Sequence, residues 1–502
     1  MAEQKSTIHI VGAGLAGSEC ALQLAELGHD VVLIEMRTAG VSTPAHKTDQ
    51  CAELVCSNSF GSLANGSAPG QLKWEAEQLG SKILEASWEA RVPAGQALGM
   101  DREVFAREVT RMVQAHPRIR VESRVVRSLD ELPRPCVVAT GPLTGDDLAR
   151  SMQEHFGDEF LYFFDAIAPI VSTESINMEI AWRADRWDKG TKDYINCPLS
   201  KRDYHFFIEE VKAAKKTEPK EFEKDTPFFE SCMPIEAMID RGILTPRFGP
   251  MSAKGLRDPR TGNVPFAVVQ LRQDNKEGTA YNMVGFQTKM AYADQKRVFR
   301  LIPGLENAEF LKLGSIHRNL YINTPKRLNR DLSSKKDPWL FFAGQITGVE
   351  GYFESTCMGL LVARFIDEKK RGRLAIDASN IDEILPPRET ALGSLHAAIT
   401  DETKIEHFQP TNINFGHMPA IIEPEGVRRM DKQLKRSMQV SRARDAMKSW
   451  ITREGLTPRA NSRVERAAAD LVAATEAALA AKSAASALTG LVPGLVVTEP
   501  AP

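Results

Sequence analysis

The residues of this chain with most chemical potential are a few cysteines and one run of glycines. Cys232 lies in Phe228-Phe-Glu-Ser-Cys232-Met-Pro-Ile-Glu236, where Pro234 restricts Met233 to extended backbone and so puts the cysteine in a turn or at a strand end. A thiol there is accessible enough to be a nucleophile; simple packing is the competing explanation. Cys51 and Cys56 stand five apart in Cys51-Ala-Glu-Leu-Val-Cys56. Together they could form a redox pair in which a thiolate attacks a disulfide, or each could be an ordinary buried hydrophobe. Gly12-Ala13-Gly14-Leu15-Ala16-Gly17 follows an apolar run and opens a helical pattern, and Glu35 ends the next apolar run, 18 residues after Gly17. Glycines let the backbone turn tightly and approach a pyrophosphate, a helix N-terminus stabilises its charge, and Glu35 can accept hydrogen bonds from ribose hydroxyls. The pattern predicts a dinucleotide site, against the bland reading of a close-packed strand-turn-helix. A carboxylate at Glu35 would repel a 2′-phosphate.

These residues need particular elements to hold them. Ser6–Val11 reads as a buried strand, Ser18–Leu27 as a helix, Gly28-His29-Asp30 as a turn and Val31–Ile34 as a second strand, a complete β-α-β unit. Helices are predicted over Gln71–Ser87 and over Asp101–Gln114, the latter capped by Asp101. Arg120–Ser128 and Cys136–Ala139 read as strands, the second stopping at Thr140-Gly141-Pro142. Past Phe164 the character changes to short β-like runs with Pro and Gly punctuation and a charged helix near Lys201–Lys216. At Trp339-Leu-Phe-Phe-Ala-Gly344 a buried strand again enters a glycine turn, and Gly351–Phe365 is helical. The expected fold is α/β: a doubly wound FAD-binding domain of the two-dinucleotide-fold type, interrupted by a mixed α/β insertion. The boundaries read as 1–165 and 318–460 for the FAD domain, 166–317 for the insertion, and 461–502 for an Ala-rich mobile tail. Val137-Val-Ala-Thr140-Gly141 is similar to the segment that passes an FAD adenosine in such flavoproteins. Phe341-Phe-Ala-Gly344-Gln345 is similar to their second flavin contact, where helix amides could stabilise a reduced isoalloxazine. FAD is therefore preferred over NAD, although each segment alone could be merely a buried strand.

Composition narrows the classes. With 502 residues, 42% hydrophobic and 26% charged, the chain is an ordinary globular protein of two to four domains. Sixty-four Lys plus Arg against 66 Asp plus Glu give a net charge of -2, so any polyanion must be met by a local patch. One such patch spans Arg428 to Arg466, with 12 basic residues (among them Arg428, Arg429, Lys432, Lys435 and Arg436) against four acidic ones; it suits phosphate backbones or is simply a solvated helix face. Lys326, Arg327, Arg330, Lys335 and Lys336 make a shorter basic run. Seven scattered cysteines give neither a disulfide framework nor metal-ligand spacing. No run is long enough to span a membrane and the N-terminus is unlike a signal peptide, so a soluble cytoplasmic protein is expected.

Taken together, Ala52-Glu-Leu-Val-Cys56-Ser-Asn58-Ser-Phe60, Phe229-Glu-Ser-Cys232-Met-Pro-Ile-Glu236, Gly344-Gln345-Ile-Thr-Gly348-Val-Glu-Gly351-Tyr352-Phe-Glu-Ser and Phe408-Gln-Pro-Thr-Asn412-Ile-Asn-Phe-Gly416 resemble the folate- and FAD-dependent tRNA uracil-5 methyltransferases. The resemblance runs from the glycine fingerprint to about Trp450. One departure is Gly61, where that family tends to have arginine. The resemblance implies that 5,10-methylenetetrahydrofolate gives its one-carbon unit to C5 of the T-loop uridine of tRNA. Reduced FAD would supply the electrons, and NAD(P)H would re-reduce it. It makes Cys232 the thiolate that adds at uracil C6, turning a poor carbon nucleophile into an enolate, and Cys56 a second functional cysteine near the flavin. It also adds Asn58, Gly348, Gly351 and Tyr352 to the cofactor set. A planar pterin stacked on the flavin needs a flat or cationic group on its other face, for which His317, Arg318 and Asn319 are the candidates. The target base must leave its loop, so the T-arm should be held by shape and phosphates. The implied partners are tRNA and small molecules, with no membrane and no obligate protein partner. Competing readings are a flavoprotein disulfide reductase using Cys51 and Cys56, a non-catalytic RNA-binding flavoprotein scaffold, and the same methylation directed at ribosomal RNA. Against the reductase, the chain has no second G-x-G-x-x-G for a nicotinamide cofactor.

Overall fold

Three strands rich in β-branched and aromatic residues, Ile8–Val11, Cys136–Val138 and Asp337–Phe342, lie side by side and parallel. They are nearly continuous apolar runs because both faces of a parallel sheet are covered. In the computed structural model, which describes residues 7–43, 45–157, 161–188, 191–216, 233–422 and 430–489, they form the centre of a six-stranded sheet. Its order is Ser333–Ser334, Asp337–Phe342, Cys136–Val138, Ile8–Val11, Val31–Glu35, Ile119–Ser123, parallel except at the Ser333–Ser334 edge. Strand order reverses between Ile8–Val11 and Cys136–Val138, and ligands of open α/β sheets bind at such a switch point, outside the carboxyl ends of the strands. The expected doubly wound α/β fold is present.

The helix Leu15–Glu26 packs against the long helix Tyr352–Lys370. Their crossing is close because the residues there are small: a Cβ on Gly359 would run into the Ala16 carbonyl. The helix expected over Gln71–Ser87 is instead two helices, Ala68–Gln78 and Lys82–Glu89. Gly80, at φ +76°, ends the first, and Ser81 caps the second by accepting a bond from Leu84 N at 3.2 Å, so a C-cap glycine followed by an N-cap serine outweighs continuous apolar spacing. Arg102–Ala115 begins as expected at its Asp101 cap.

Between the two halves of this sheet the chain builds a second, wholly antiparallel one. Its order is Trp182–Arg183, Tyr194–Leu199, Ala267–Gln273, Ala280–Met283, Ile170–Ser172, Phe310–Lys312. The helix Lys201–Ala213 buries Tyr204, Phe207, Ile208 and Val211 in the core under this sheet, a cluster separate from that of the parallel sheet. A two-stranded ribbon, Leu161–Ile167 with Ser315–Tyr321, carries the chain out and back. The mobile tail expected from position 461 is, at its start, a docked helix: Glu77 accepts the N–H of Arg463 at 2.7 Å, and Val464, Ala467 and Ala468 are buried. Among the described residues no helix is long and apolar enough to cross a membrane.

Candidate active site

Parallel registration brings three glycine-bearing turns together. Val11 pairs with Val138, and Val138 with Phe342, so the chain leaves the sheet at Gly12–Gly17, Ala139–Gly141 and Ala343–Gln345 at one level. A continuous groove runs across them. Gly12, Gly14, Glu35, Arg37, Arg124 and Thr144 line one end. Leu15, Ala16, Cys56, Gly141, Asn319, Gly344, Gln345 and Tyr352 line the other, while Gly14, His46 and Thr140 are common to both.

The fit to a dinucleotide can be tested on the glycines. Gly12 has φ +98°, and a Cβ there would stand 2.7 Å from the Ala139 carbonyl. A Cβ on Gly17 would overlap the Gly12 carbonyl, so both are required by strand-helix packing. Gly14 differs, because a Cβ on it would meet nothing within 4 Å. It caps the N-terminus of Leu15–Glu26, which has no side-chain cap and no acid in its first turn. Bare backbone facing open space at a helix N-terminus is what a pyrophosphate requires. The residues present fit FAD.

Glu35 lines the groove with its oxygens already engaged. Ala13 N donates to Oε2 at 2.7 Å, and Arg37 donates from N and Nε to Oε1 at 2.9 and 3.0 Å and from Nη2 to Oε2 at 3.2 Å. Burial opposes ionisation, but the Arg37 bonds and charge with the Ala13 N–H outweigh it and hold the carboxyl below its usual range. Ribose hydroxyls can therefore reach Glu35 only by replacing Arg37 bonds. Arg37 itself is buried, and among the described residues its Nη1 has no hydrogen-bond partner, only Glu53 Oε2 at 3.6 Å.

At the other end the Cys56 thiol, partly exposed, lies 3.0 Å from the Tyr352 hydroxyl. That oxygen also accepts the N–H groups of Cys56 at 2.8 Å and Ser57 at 3.3 Å. With its acceptor sites so occupied, the hydroxyl proton is left to point at the sulfur. Burial, and after it the neighbouring Cys56, raise the Tyr352 hydroxyl well above its ordinary pKa, so it keeps that proton. Cations hold the loop from several sides. Arg102 donates to Leu54 O at 2.6 Å and Cys56 O at 3.5 Å, Arg272 to Ser57 Oγ at 3.0 Å, and Lys312 to Val55 O at 3.0 Å. Burial, then the charges of Arg102 and Lys47, push the Lys312 ammonium down to about 8. Three cationic side chains thus hold the loop that bears Cys56.

Residues 7–373 match the family model described as glucose inhibited division protein A. The methylenetetrahydrofolate--tRNA-(uracil-5-)-methyltransferase TrmFO of Bdellovibrio bacteriovorus is 66% identical over 447 residues, covering 89% of this chain and 98% of that protein. The chain belongs to the TrmFO family. The TrmFO of Aquifex aeolicus is 47% identical over 454 residues, 90% of this chain and 98% of that one. In fold, Aquifex aeolicus GidA is similar with a TM-score of 0.59 at 13% identity, covering 88% of this chain and 73% of that one.

Against this TrmFO framework the sequence-derived residues fall into four groups. Gly12, Gly14, Leu15, Ala16, Glu35, Thr140, Gly141, Gly344, Gln345, Tyr352, Cys56 and Asn319 line the groove, and Ala13 touches it through Glu35. Four cofactor candidates do not line it. Gly17 serves helix packing, Gly348 lies where a Cβ would strike the Phe408 ring, and Gly351 where one would strike the Glu354 carboxylate. Asn58 is fully buried, its amide donating to Met100 O at 3.1 Å and Gln273 O at 2.9 Å while its oxygen accepts from Arg272 Nε at 3.0 Å. It ties Met100 and the loop that bears Cys56 to the antiparallel sheet instead of facing a cofactor. Cys232, Arg428 and Arg429 lie outside the described residues, as do the side chains of His317 and Arg318. Lys432 and Arg436 are exposed and Lys435 half-buried on the helix Lys432–Arg453, whereas Arg442 and Arg444 of the same basic run bond Ala420 O and Gln71 Oε1. In the shorter run, Arg330 pairs with Asp382 and Lys335 with Glu402. Gly61 has φ +75°, a backbone that strains any side chain. His46, Arg37, Arg102, Arg272 and Lys312 carry no sequence motif and were found only through the fold.

Proposed function

We propose that this protein methylates C5 of uridine in the T-loop of tRNA, with 5,10-methylenetetrahydrofolate as one-carbon donor and FAD, reduced by NAD(P)H, as reductant. The observation that carries the reading is the Cys56 thiol, aligned by Tyr352 at the end of a dinucleotide groove, in a chain akin to TrmFO proteins over nearly their whole length. Backbone from Gly12 to Ala16, Thr140 to Gly141 and Gly344 to Gln345 would hold FAD, with the Leu15–Glu26 helix N-terminus at its pyrophosphate. When bound, FAD supplies the electrons that turn a methylene into a methyl group. The chain's own part is to activate the base and exclude water. Cys232 adds to uracil C6 and makes C5 nucleophilic; the adduct collapses after the C5 proton leaves, returning the thiolate. Cys56, its sulfur beside the Tyr352 hydroxyl, shields or carries the one-carbon unit or helps to remove the C5 proton. His317, Arg318 and Asn319 are the candidates to stack on the pterin, and the T-arm is met by Arg428, Arg429, Lys432, Lys435 and Arg436 through its phosphates. The FAD-binding parts are 1–165 and 318–460, the insertion is 166–317, and the site of action is the cytoplasm.

The dithiol reading lacks support: Cys51 is 6% exposed, its thiol is free, and burial raises its pKa. Incubation of the purified protein with 5,10-methylenetetrahydrofolate, NAD(P)H and unmodified tRNA, then digestion of the RNA, tests the proposal. The expected result is 5-methyluridine at the T-loop position. A yellow protein that makes none, or that methylates ribosomal RNA instead, would contradict it.

A further inference from the structure

Of the six tryptophans, Trp187 alone is exposed, at 56%. It stands in the loop between the paired strands Trp182–Arg183 and Tyr194–Leu199, with φ +60° and ψ +20°. A bulky side chain in this left-handed region strains the backbone, and strain of that kind persists where the surroundings impose it and clusters at binding sites. Here Gly255 imposes it. Trp187 N donates to Gly255 O at 2.8 Å, and a Cβ on Gly255 would stand 2.8 Å from both Cδ2 and Cε2 of the indole. Those two atoms form the bond that the two rings share, so an approach to both is an approach to a ring face. One face therefore lies on glycine backbone, and the other is open to solvent. Burying both faces would gain more hydrophobic stabilisation; the strained loop instead holds a flat apolar surface outward.

The same sheet face meets the loop that bears Cys56. Arg186 Nε donates to Gln270 Oε1 at 2.8 Å, and two residues along that strand Arg272 Nη2 donates to Ser57 Oγ at 3.0 Å. Side chains two apart share one face of a strand, so the Trp187 loop and the Cys56 loop are held by neighbouring side chains of one face. The charge there suits a polyanion. The segment Arg241–Arg257, which contains Gly255, has four cations (Arg241, Arg247, Lys254 and Arg257) and no carboxylate. In the tryptophan's own loop Asp185 is 4% exposed, and Asp193 Oδ2 accepts Gly95 N at 2.6 Å. We propose that the open face of Trp187 stacks on an unpaired base of the T-loop other than the target uridine, with the exposed Lys254 and Arg257 beside it at the phosphates. Extruding one base leaves its neighbours without part of their stacking, and an indole face replaces it whatever the base, because every base has a π-face.

This role rests on tRNA being the substrate, and the test separates the two. Binding of an unmodified T-arm stem-loop RNA is measured at several salt concentrations for the wild-type holoprotein, Trp187→Ala, Trp187→Gly and Trp187→Phe. The alanine and glycine variants are expected to bind about tenfold more weakly or worse, and phenylalanine, which keeps an aromatic face, to recover most of that loss. Because the indole is uncharged, the slope of log Kd against log salt should be the same in all four proteins, whereas Lys254→Gln should reduce it by about 0.7. Glycine adopts φ +60° without strain, so Trp187→Gly keeps the loop backbone and carries the test should the alanine variant fail to fold. Wild-type affinity in the glycine variant, or a loss that phenylalanine does not restore, would overturn the proposal; unchanged RNA affinity with an altered mass in gel filtration would assign the ring to a protein contact instead. Failure of the wild type to bind this RNA at all would overturn the reading of tRNA as substrate.

Discussion

A sulfur atom with a hydrogen-bond donor on one side and cations behind it is a chemical group, whereas a sulfur in the core is not, and Cys56 and Cys51 present that contrast five residues apart. Cys56→Ala is expected to lower the rate of uridine methylation by at least about 100-fold, the scale of losing a group that acts on reacting atoms, with FAD content unchanged. Cys51→Ala should turn over within about twofold of wild type. The check is single-turnover formation of 5-methyluridine by each variant. Tyr352→Phe leaves the N–H groups of Cys56 and Ser57 without their acceptor and the sulfur without its donor. It is expected to destabilise the protein by about 1–3 kcal/mol and to slow methylation more than tenfold, read by urea denaturation and by the same assay. At this scale the sequence was legible where a motif is contiguous, as at the turn Gly12–Gly17 that opens the groove. It was illegible where partners are distant, because nothing local ties Arg102, Arg272 or Lys312 to a loop at 54–58. Asn58 shows the opposite failure: polar and two residues from the groove-lining Cys56, it is consumed by contacts across the fold.

Three buried carboxylates on neighbouring helices each hold the start of another helix. Glu19 accepts from Ile83 N at 2.8 Å, Glu75 from Leu392 N at 2.7 Å and Glu77 from Arg463 N at 2.7 Å. Each thus serves as an N-cap supplied from outside the helix, and favours the positive end of the dipole. Burial raises Glu75 from 4.5 to about 7, in spite of its bonds from Gln71, Leu392 N and Ala391 N. The folded protein therefore binds this proton more tightly than the unfolded chain, and the contribution, fully present below pH 4.5, is lost as pH rises to about 7. Stability should fall by up to about 3 kcal/mol across that window, and Glu75→Gln should remove that slope in urea denaturation series at several pH values. Strands and capped helices were readable because their patterns are local, as at Asp101. The break at Gly80-Ser81 and the docking of the last helix were not read. The first was a capping signal hidden inside apolar periodicity, and the second depends on Glu77, almost 400 residues earlier.

The molecule works as one piece because the antiparallel sheet is bonded to the loop that bears Cys56. Arg102 bonds Leu54 O and pairs with Asp274 at 3.1 Å, the two side chains 15% and 8% exposed. Removing one partner of such a pair leaves a buried charge, so Arg102→Met is expected to cost about 3–5 kcal/mol, while the double change with Asp274→Leu should recover most of it; denaturation of the three proteins measures both. The division into an interrupted α/β fold was visible in the alternation of strands and helices at the two ends of the chain. How the insertion meets the groove was not, since Arg272 and Gln273 end, and Asp274 follows, a strand that reads in sequence only as one of several short β-like runs. The central claim is that a thiol of the inserted module, Cys232, bonds to C6 of a uracil presented beside the Cys56 end of the groove. A T-arm RNA carrying 5-fluorouridine at the target position tests it directly, because fluorine at C5 cannot leave as a proton and the adduct persists. With cofactors present, the wild type and Cys56→Ala should be recovered covalently joined to this RNA after denaturation, and Cys232→Ala should not. A denaturation-resistant complex in Cys232→Ala, or one mapped by peptide mass to another residue, would contradict the claim.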